Sequence, residues 1–85
     1  MAMQEKQVKV ELPTGLQARP AAEFVKLANR FSSHLYLEKE GKRVNAKSIM
    51  GLMSLAVASD EEIIIFGDGE DEEKAIQELA AFVTE

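Results

Sequence analysis

Four stretches of the chain carry the hydrophobic pattern of β-strands. Two of them alternate apolar and polar residues, one is a short return segment after Gly41, and one is rich in β-branched side chains. They are residues 7–12, 34–40, 42–45 and 62–66. We expect the polar residues 1–6 to be frayed at their start, and residues 67–69, with two glycines, to end the last strand.

Three further stretches are predicted to be helices. The first runs from Ala18 to about Phe31 and the last from Asp71 to Thr84, and both have apolar residues at the spacing of an amphipathic helix. Their predicted core stripes are Ala21, Phe24, Val25, Ala28 and Phe31 in the first, and Ala75, Ile76, Leu79, Ala80 and Val83 in the last. The middle helix, opened by Ser48, is apolar on nearly every side.

The middle helix is predicted to be partly exposed. A short helix that is apolar all round cannot bury every side chain in so small a domain. We therefore expect some of Ile49, Met50 and Met53 to form a partner surface, for which flexible methionine side chains are suited. The alternative is a helix wedged fully into the core. Gly51, in its centre, lowers its intrinsic stability.

The element order is β-α-β-β-α-β-α, which predicts an α+β fold with a small antiparallel sheet and helices on one face. Ile63 and Ile65 are expected to face the helices. Ile64, Phe66 and Tyr36 then share the outer face, where they form a candidate self-association surface. The alternative, which we favour, is that they are scattered exposed apolar groups of an ordinary surface.

Length and composition fit one small domain spanning residues 1–85. The chain has no cysteine, no apolar run of membrane-spanning length and no signal-peptide pattern, so we expect a cytoplasmic protein without disulfides. The net charge of −5 is uneven, because residues 60–85 carry ten Asp/Glu against one lysine, whereas residues 1–59 are net basic. Such an acidic chain is a poor general binder of nucleic acid.

The loop before the first helix has the features of an anion site. Gly15 permits a tight turn, and Pro20 fits the first turn of a helix. Gln17 and Arg19 therefore lie where a loop becomes a helix, next to unpaired backbone N–H groups and the positive end of the helix dipole. Arg19 adds a positive charge, but Gln17 neither titrates nor acts as a nucleophile, so the sequence predicts binding there and no catalysis.

Signatures of an enzyme are missing from the sequence. There is no cysteine nucleophile, no glycine-rich phosphate loop and no metal-ligand spacing, so we expect neither a metal nor a cofactor. His34, the only histidine, is placed at the start of a predicted strand, with no carboxylate positioned by sequence to tune it. The carboxylates of residues 61–62 and 71–73 are interpreted as surface charge and not as acid–base pairs.

Ser48 is the second candidate position. Its structural role is an N-cap whose hydroxyl satisfies a backbone N–H of the following helix. The same place suits a phosphoryl group, because a phosphoserine dianion would stand at the positive end of the helix. It would lie beside Lys47 and the apolar side chains that follow, and a partner could distinguish this composite surface from the unmodified one.

Two motifs together resemble the HPr family, the small phosphocarriers of the sugar phosphotransferase system. They are Thr14-Gly15-Leu16-x-Ala18-Arg19-Pro20-Ala21 and Val44-Asn45-Ala46-Lys47-Ser48-Ile49-Met50-Gly51-Leu52-Met53. The resemblance covers essentially the whole chain and implies that family's open-faced β-sandwich, with a four-stranded antiparallel sheet and three helices on one face. In HPr, the position of Gln17 holds the histidine that takes the phosphoryl group from phosphoenolpyruvate via enzyme I, and that histidine is absent here.

A chain with the serine but without that histidine resembles a regulatory branch of the family in Bacillus-type bacteria. The resemblance implies that HPr kinase/phosphorylase phosphorylates Ser48 with ATP. It also implies that the phosphorylated form is a corepressor in carbon catabolite repression, which binds catabolite control protein A, a LacI-type repressor. The residues that it assigns to partner binding are Gln17, Arg19, Lys47, Ile49, Met50 and Met53.

Gln17 decides between functions, because an imidazole can accept and pass on a phosphoryl group and an amide cannot. The leading hypothesis is a regulatory binding protein that is not an enzyme. The alternatives are a phosphocarrier HPr inactivated at position 17, by nature or by design, and a structural or enzyme-binding module that works without phosphorylation. The oligomeric state is left open between a monomer and a weak or strand-swapped homodimer, since edge strands permit pairing.

Overall fold

The computed structural model describes residues 3–84, which contain four strands and three helices. The strands are β1 (Gln4–Lys9), β2 (His34–Lys39), β3 (Lys42–Asn45) and β4 (Glu62–Asp68). The helices are α1 (Ala18–Ala28), α2 (Ile49–Leu55) and α3 (Glu72–Thr84). The predicted element order, β-α-β-β-α-β-α, is confirmed.

The strands form one antiparallel sheet in the order β1-β4-β2-β3. The last strand of the chain thus lies between the first and the second, and Ile65 of β4 lies opposite both Lys6 and Leu37. The helices cover one face of this sheet. Helix α3 packs on β1 and β4, α2 packs on β3, and α1 packs on the other two helices.

The core lies between the sheet and the helices. All residues of the stripes predicted for α1 and α3 are buried, so both predictions are confirmed. From the sheet, Leu37, Ile63 and Ile65 are buried against them, as the alternation of side chains in a strand requires. Phe24 of α1 also meets Phe82 of α3 edge to face, with ring centroids 6.1 Å apart.

The first strand lies closer to the N-terminus than its prediction at residues 7–12. It begins at Gln4 and ends at Lys9, because β4 is longer than predicted and pairs with the polar segment that was expected to fray. The very start of that segment lies outside the described residues. After β1, the Glu11 amide donates to the Val83 carbonyl at 2.7 Å, so the chain turns from the sheet toward the end of α3.

The prediction that residues 67–69 end the last strand is wrong by two residues. Gly67 stays in the sheet, opposite Leu35 of β2. A Cβ on Gly67 would lie 3.1 Å from Ile76 Cδ1 and 3.2 Å from Glu72 Cβ. The glycine therefore serves the close approach of α3 to the sheet and does not make a turn.

The prediction for α1 is too long by three residues. The amides of Arg30 and Phe31 donate to the carbonyls three residues back, those of Leu27 and Ala28, so the chain leaves α-helical spacing here. Phe31 nevertheless remains in the core. Two other differences are of one residue, since β2 ends at Lys39 and α3 begins after its predicted first residue.

The outer face of the sheet carries the predicted aromatic pair, but arginine covers it. Tyr36 and Phe66 lie opposite one another on β2 and β4. The Arg43 guanidinium lies over both rings, with its Cζ 4.1 Å from the Phe66 centroid and 5.9 Å from that of Tyr36. Phe66 is only 6% exposed, so the expectation that it is an exposed apolar group is wrong.

Candidate functional site

Ser48 caps the N-terminus of α2, as predicted. Its backbone is extended, with φ −114° and ψ 117°, and its Oγ accepts a hydrogen bond from the Gly51 amide at 3.1 Å. This bond satisfies one of the unpaired N–H groups of the helix, which explains a hydroxyl residue at this point. The residue is half-buried, so the oxygen is held in a defined position without being enclosed.

The side chains of α2 divide into a buried set and an exposed set. Leu52 and Leu55 belong to the core. Ile49, Met50 and Met53 are 42%, 83% and 51% exposed, and we refer to these three as the α2 surface. The prediction of partial exposure is confirmed, and the alternative of a helix wedged fully into the core is wrong. An exposed apolar surface of this kind is typical of a protein interface.

Lys47 makes contacts within the fold. Its Nζ donates to the Phe31 carbonyl at 2.7 Å, just beyond the end of α1. Its amide donates to the Asn45 side chain at 2.8 Å, which orders the turn that leads into α2. Lys47 therefore fixes the start of α2 relative to the end of α1, and its contact with a partner stays a prediction.

Gln17 and Arg19 are exposed at the start of α1. Gln17 occupies the N-cap position with an extended backbone, φ −130° and ψ 157°, but its side chain makes no capping hydrogen bond. Ala18, the next residue, has φ 50°, which is uncommon for a residue with a Cβ. The Gln17 amide is thus not used to close the helix end and is available on the surface.

Gly15 ties this loop to the segment that follows α2. Its φ is 69°, and a Cβ on it would lie 2.2 Å from the Val57 carbonyl oxygen, so only glycine fits both the conformation and the space. The Leu16 amide donates to the same oxygen at 3.0 Å. Because α1 and α2 also pack on each other, the loop that holds Gln17 and the helix capped by Ser48 belong to one packed unit.

The other end of α2 is held by Lys39, which the sequence did not single out. Its Nζ donates to the carbonyls of Leu55 and Ala56 at 3.1 and 3.0 Å and lies 2.7 Å from Glu61 Oε1. A cation here satisfies free carbonyls at the negative end of the helix dipole. The pKa of Glu61 is held below its ordinary value mainly by the hydrogen bond from the Ala58 amide, and next by the one from Lys39. Glu61 is a surface charge, as predicted, with its side chain 35% exposed, and it also has a structural role that the sequence did not indicate.

Among residues 71–73, the interpretation as surface charge is wrong for Glu72, which is buried, and Asp71 has a structural role as well. Asp71 accepts hydrogen bonds from the amides of Ser32 and Ser33 at 2.9 and 3.0 Å, and from the Ser33 hydroxyl. These bonds lower the pKa of Asp71 to about 2, and the bond from the Ser33 hydroxyl has the largest effect. Glu72 is buried, and its Oε1 accepts from a backbone amide in the turn before α3 at 2.9 Å. Both carboxylates serve the fold.

His34 lies on the sheet and not in the loop that holds Gln17. It is exposed at the start of β2, opposite Asp68 of β4. Across residues 3–84, the histidine and carboxylate side chains form no group of three or more that could hold a metal ion. No helix in that part of the chain is both long and apolar enough to cross a membrane.

Comparison with known proteins defines the class. Residues 4–85 match the family described as "PTS HPr component phosphorylation site". The chain therefore belongs to the HPr family, as the two motifs indicated. Within that family, it is 60% identical to the HPr-like protein Crh of Bacillus subtilis over 83 residues, which cover 98% of each chain.

Solved structures of the family confirm the fold. The crystal structure of a phosphocarrier protein HPr from Bacillus anthracis superimposes with a TM-score of 0.96 at 55% identity, over 98% of this chain and 99% of that one. A crystal structure of Crh from Bacillus subtilis matches with a TM-score of 0.77 at 62% identity, over 92% and 90% of the two chains. The latter is described as a dimer with a swapping domain.

Proposed function

We propose that this chain is a regulatory HPr-like protein of carbon catabolite repression, phosphorylated on Ser48, and not a carrier of phosphoryl groups to sugars. The observation that carries the proposal is the position of Ser48, a hydroxyl at the N-cap of a helix whose exposed side is apolar. The 60% identity to Crh supports the same branch of the family. In this proposal the chain acts as one cytoplasmic domain and catalyses no reaction of its own.

The proposed phosphoryl donor is ATP, and the proposed enzyme is HPr kinase/phosphorylase. Ser48 Oγ attacks the γ-phosphorus, the bond from that phosphorus to the leaving ADP breaks, and the hydroxyl proton passes to a base of the kinase. The product is a phosphoserine at the start of α2, where the positive end of the helix favours added negative charge.

The proposed partner is catabolite control protein A, a LacI-type repressor. A phosphoserine next to the α2 surface forms a face that is charged on one side and apolar on the other, and basic groups of the repressor would pair with the phosphate. Gln17 and Arg19, exposed at the start of α1, are also proposed to contact the repressor. Lys47 contacts the repressor only if its ammonium leaves the Phe31 carbonyl, and otherwise it contributes by fixing the start of α2.

Gln17 argues against a phosphocarrier. A carrier needs a nucleophile that forms a labile bond to phosphorus, and a side-chain amide has no basic nitrogen for this purpose. The only histidine of the chain, His34, lies on the sheet opposite Asp68. The loop before α1 is therefore proposed to work as a docking surface.

For the oligomeric state, we propose a monomer that can exchange β1 with a second copy. Strand β1 is at the edge of the sheet, and an edge strand can pair with another chain. A crystal structure of Crh, 62% identical to this chain, is described as a dimer with a swapping domain, and this supports the proposed exchange.

The test of the proposed function is incubation with HPr kinase/phosphorylase and ATP, followed by mass analysis of the intact protein and its peptides. We expect one acid-stable phosphate on Ser48 and none in the Ser48→Ala variant. We also expect the repressor to bind the phosphorylated protein much more tightly than the unmodified protein, measured by calorimetry. Equal affinity for the two forms would contradict the switch.

A further inference from the structure

Gly51 stands where a helix disfavours glycine. It is the third residue of α2, and alanine at such a position would stabilise the helix by reducing the entropy lost on folding. The backbone conformation does not require glycine, because the glycines with positive φ are Gly15, Gly41 and Gly69. The reason for a glycine at position 51 must therefore lie in the space around it.

That space is bounded by Ser48. A Cβ on Gly51 would lie 3.4 Å from Ser48 Oγ, 3.4 Å from Ser48 Cβ and 3.2 Å from Val44 Cβ. The Gly51 amide already donates to the same Oγ at 3.1 Å. The backbone of residue 51 therefore contacts the serine oxygen already, and a side chain at this position would contact it as well.

Two explanations of the glycine make different predictions. If Gly51 serves only packing against Val44, an alanine there would crowd β3 and lower the stability of the protein. If it serves access to Ser48, an alanine would slow the chemistry at the hydroxyl while the helix became more stable. We favour access, because Ser48 is half-buried and a methyl 3.4 Å from its Oγ would cover one side of the hydroxyl.

We propose that Gly51 keeps the Ser48 hydroxyl open to phosphoryl transfer, and so determines whether this chain is a substrate of the serine kinase. The inference rests on the function proposed above. As the bond from Ser48 Oγ to the γ-phosphorus forms and the bond to ADP breaks, the three other oxygens of the phosphoryl group must stand around the phosphorus next to Oγ. A methyl group at position 51 would occupy part of the space that they need.

The test compares Gly51→Ala with the parent, using HPr kinase/phosphorylase and ATP. We expect kcat for phosphorylation to fall at least about tenfold, with a smaller change in KM, because the methyl acts at the reacting oxygen and leaves the α2 surface unchanged. The thermal midpoint is expected to stay at or above that of the parent. Gly41→Ala, which adds the same methyl where nothing lies within 4 Å of it, is the matched control and is expected to keep the parent's rate.

A second variant separates access from packing. The double variant Val44→Gly/Gly51→Ala removes the Val44 Cβ that the methyl would meet at 3.2 Å but keeps the methyl beside Ser48, so the same fall in kcat relative to Val44→Gly is expected. Recovery of the Val44→Gly rate in the double variant would assign the effect to packing and overturn the inference.

The remaining outcomes are also decisive. A folded Gly51→Ala variant that is phosphorylated at the parent's rate would overturn the inference. If that variant melts below the parent, the rates are compared at a temperature at which circular dichroism shows both to be folded, and an unchanged kcat there has the same consequence. A parent protein that the kinase does not phosphorylate refutes the proposed function instead, so the two failures are distinguishable.

Discussion

The start of α1 and the start of α2 are built alike and differ in chemistry. Each helix begins after an extended residue, Gln17 in one and Ser48 in the other. Ser48 caps its helix with a hydroxyl that can also accept a phosphoryl group, whereas the Gln17 side chain neither caps its helix nor has a nucleophile. The two helix starts therefore share an extended N-cap residue but not a hydroxyl that caps the helix.

The surroundings of the two helix starts differ as well. The loop before α1 presents polar groups, the Gln17 amide and the Arg19 guanidinium. The start of α2 leads into the apolar α2 surface, in which Met50 is the most exposed side chain. A phosphate at Ser48 would therefore change a mainly apolar face, and this is the kind of change that a protein partner can detect.

Ser48→Ala is expected to have the largest effect on phosphorylation, because it removes the only proposed phosphoryl acceptor. Phosphate incorporation from ATP should fall to background, and phosphate-dependent binding of the repressor with it. The loss of the N-cap should also lower the free energy of unfolding by about 1 kcal/mol in urea denaturation. Ser54→Ala is the control, and labelling of Ser48→Ala at the parent's level would show that Ser48 is not the acceptor.

Gly15→Ala is expected to disturb the loop before α1 most. It forces a Cβ into a positive-φ conformation and to within 2.2 Å of the Val57 carbonyl oxygen, so we expect a loss of about 3 kcal/mol in the free energy of unfolding.

Gly41→Ala is the matched control for that variant. Gly41 has a φ of 83° but nothing within 4 Å of a Cβ, so only the conformational cost applies, about 1 kcal/mol. Equal losses for the two variants in chemical denaturation would show that the contact of the loop with Val57 is unimportant.

Met50→Ala tests whether the α2 surface contacts the repressor. Met50 is 83% exposed, so its truncation should change the stability of the protein little. It should weaken binding of the phosphorylated protein to the repressor by about 1–2 kcal/mol, roughly five- to thirtyfold in affinity. Met3→Ala is the control, since Met3 is 41% exposed and lies before β1, and calorimetry that found the same loss in both variants would remove the α2 surface from the interface.

The smallest expected effect is on acid stability and involves neither helix start. The pKa of Asp71 is lowered from 3.8 to about 2, so this carboxylate contributes stability that is fully present above its unfolded value and is lost as the pH falls toward 2. The free energy of unfolding of the parent should therefore fall more steeply between these values than that of Asp71→Asn. Parallel pH profiles in urea denaturation would contradict the role of Asp71.

Much of the fold could be predicted from the sequence, and the failures have physical causes. The long helices follow from apolar residues at regular spacing. The start of β1 does not, because Gln4, Glu5 and Lys6 are all exposed and only their pairing with β4 makes them a strand. The role of Asp71 was also beyond local pattern, because the amides that bind it lie 38 and 39 residues earlier in the chain.

The candidate site could be predicted where it depends on neighbours in sequence. The N-cap at Ser48 and the partial exposure of α2 follow from the local pattern, and both are confirmed. Two other contacts could not be predicted in this way. They are the contact of Lys47 with the Phe31 carbonyl and the hydrogen bonds from Lys39 to the end of α2. Both join segments that are 16 residues apart, and no local pattern marks such pairs.

Phosphorylation of the parent protein by two donor systems in parallel decides between a regulatory protein and a phosphocarrier. One incubation contains enzyme I and phosphoenolpyruvate, the other HPr kinase/phosphorylase and ATP, and each product is weighed by mass spectrometry before and after acid treatment. Gln17→His, which restores an imidazole on an exposed position, is the positive control for the first incubation. We predict no phosphate on the parent from phosphoenolpyruvate and one acid-stable phosphate on Ser48 from ATP. An acid-labile phosphate on the parent, or no phosphate from ATP, would contradict the account.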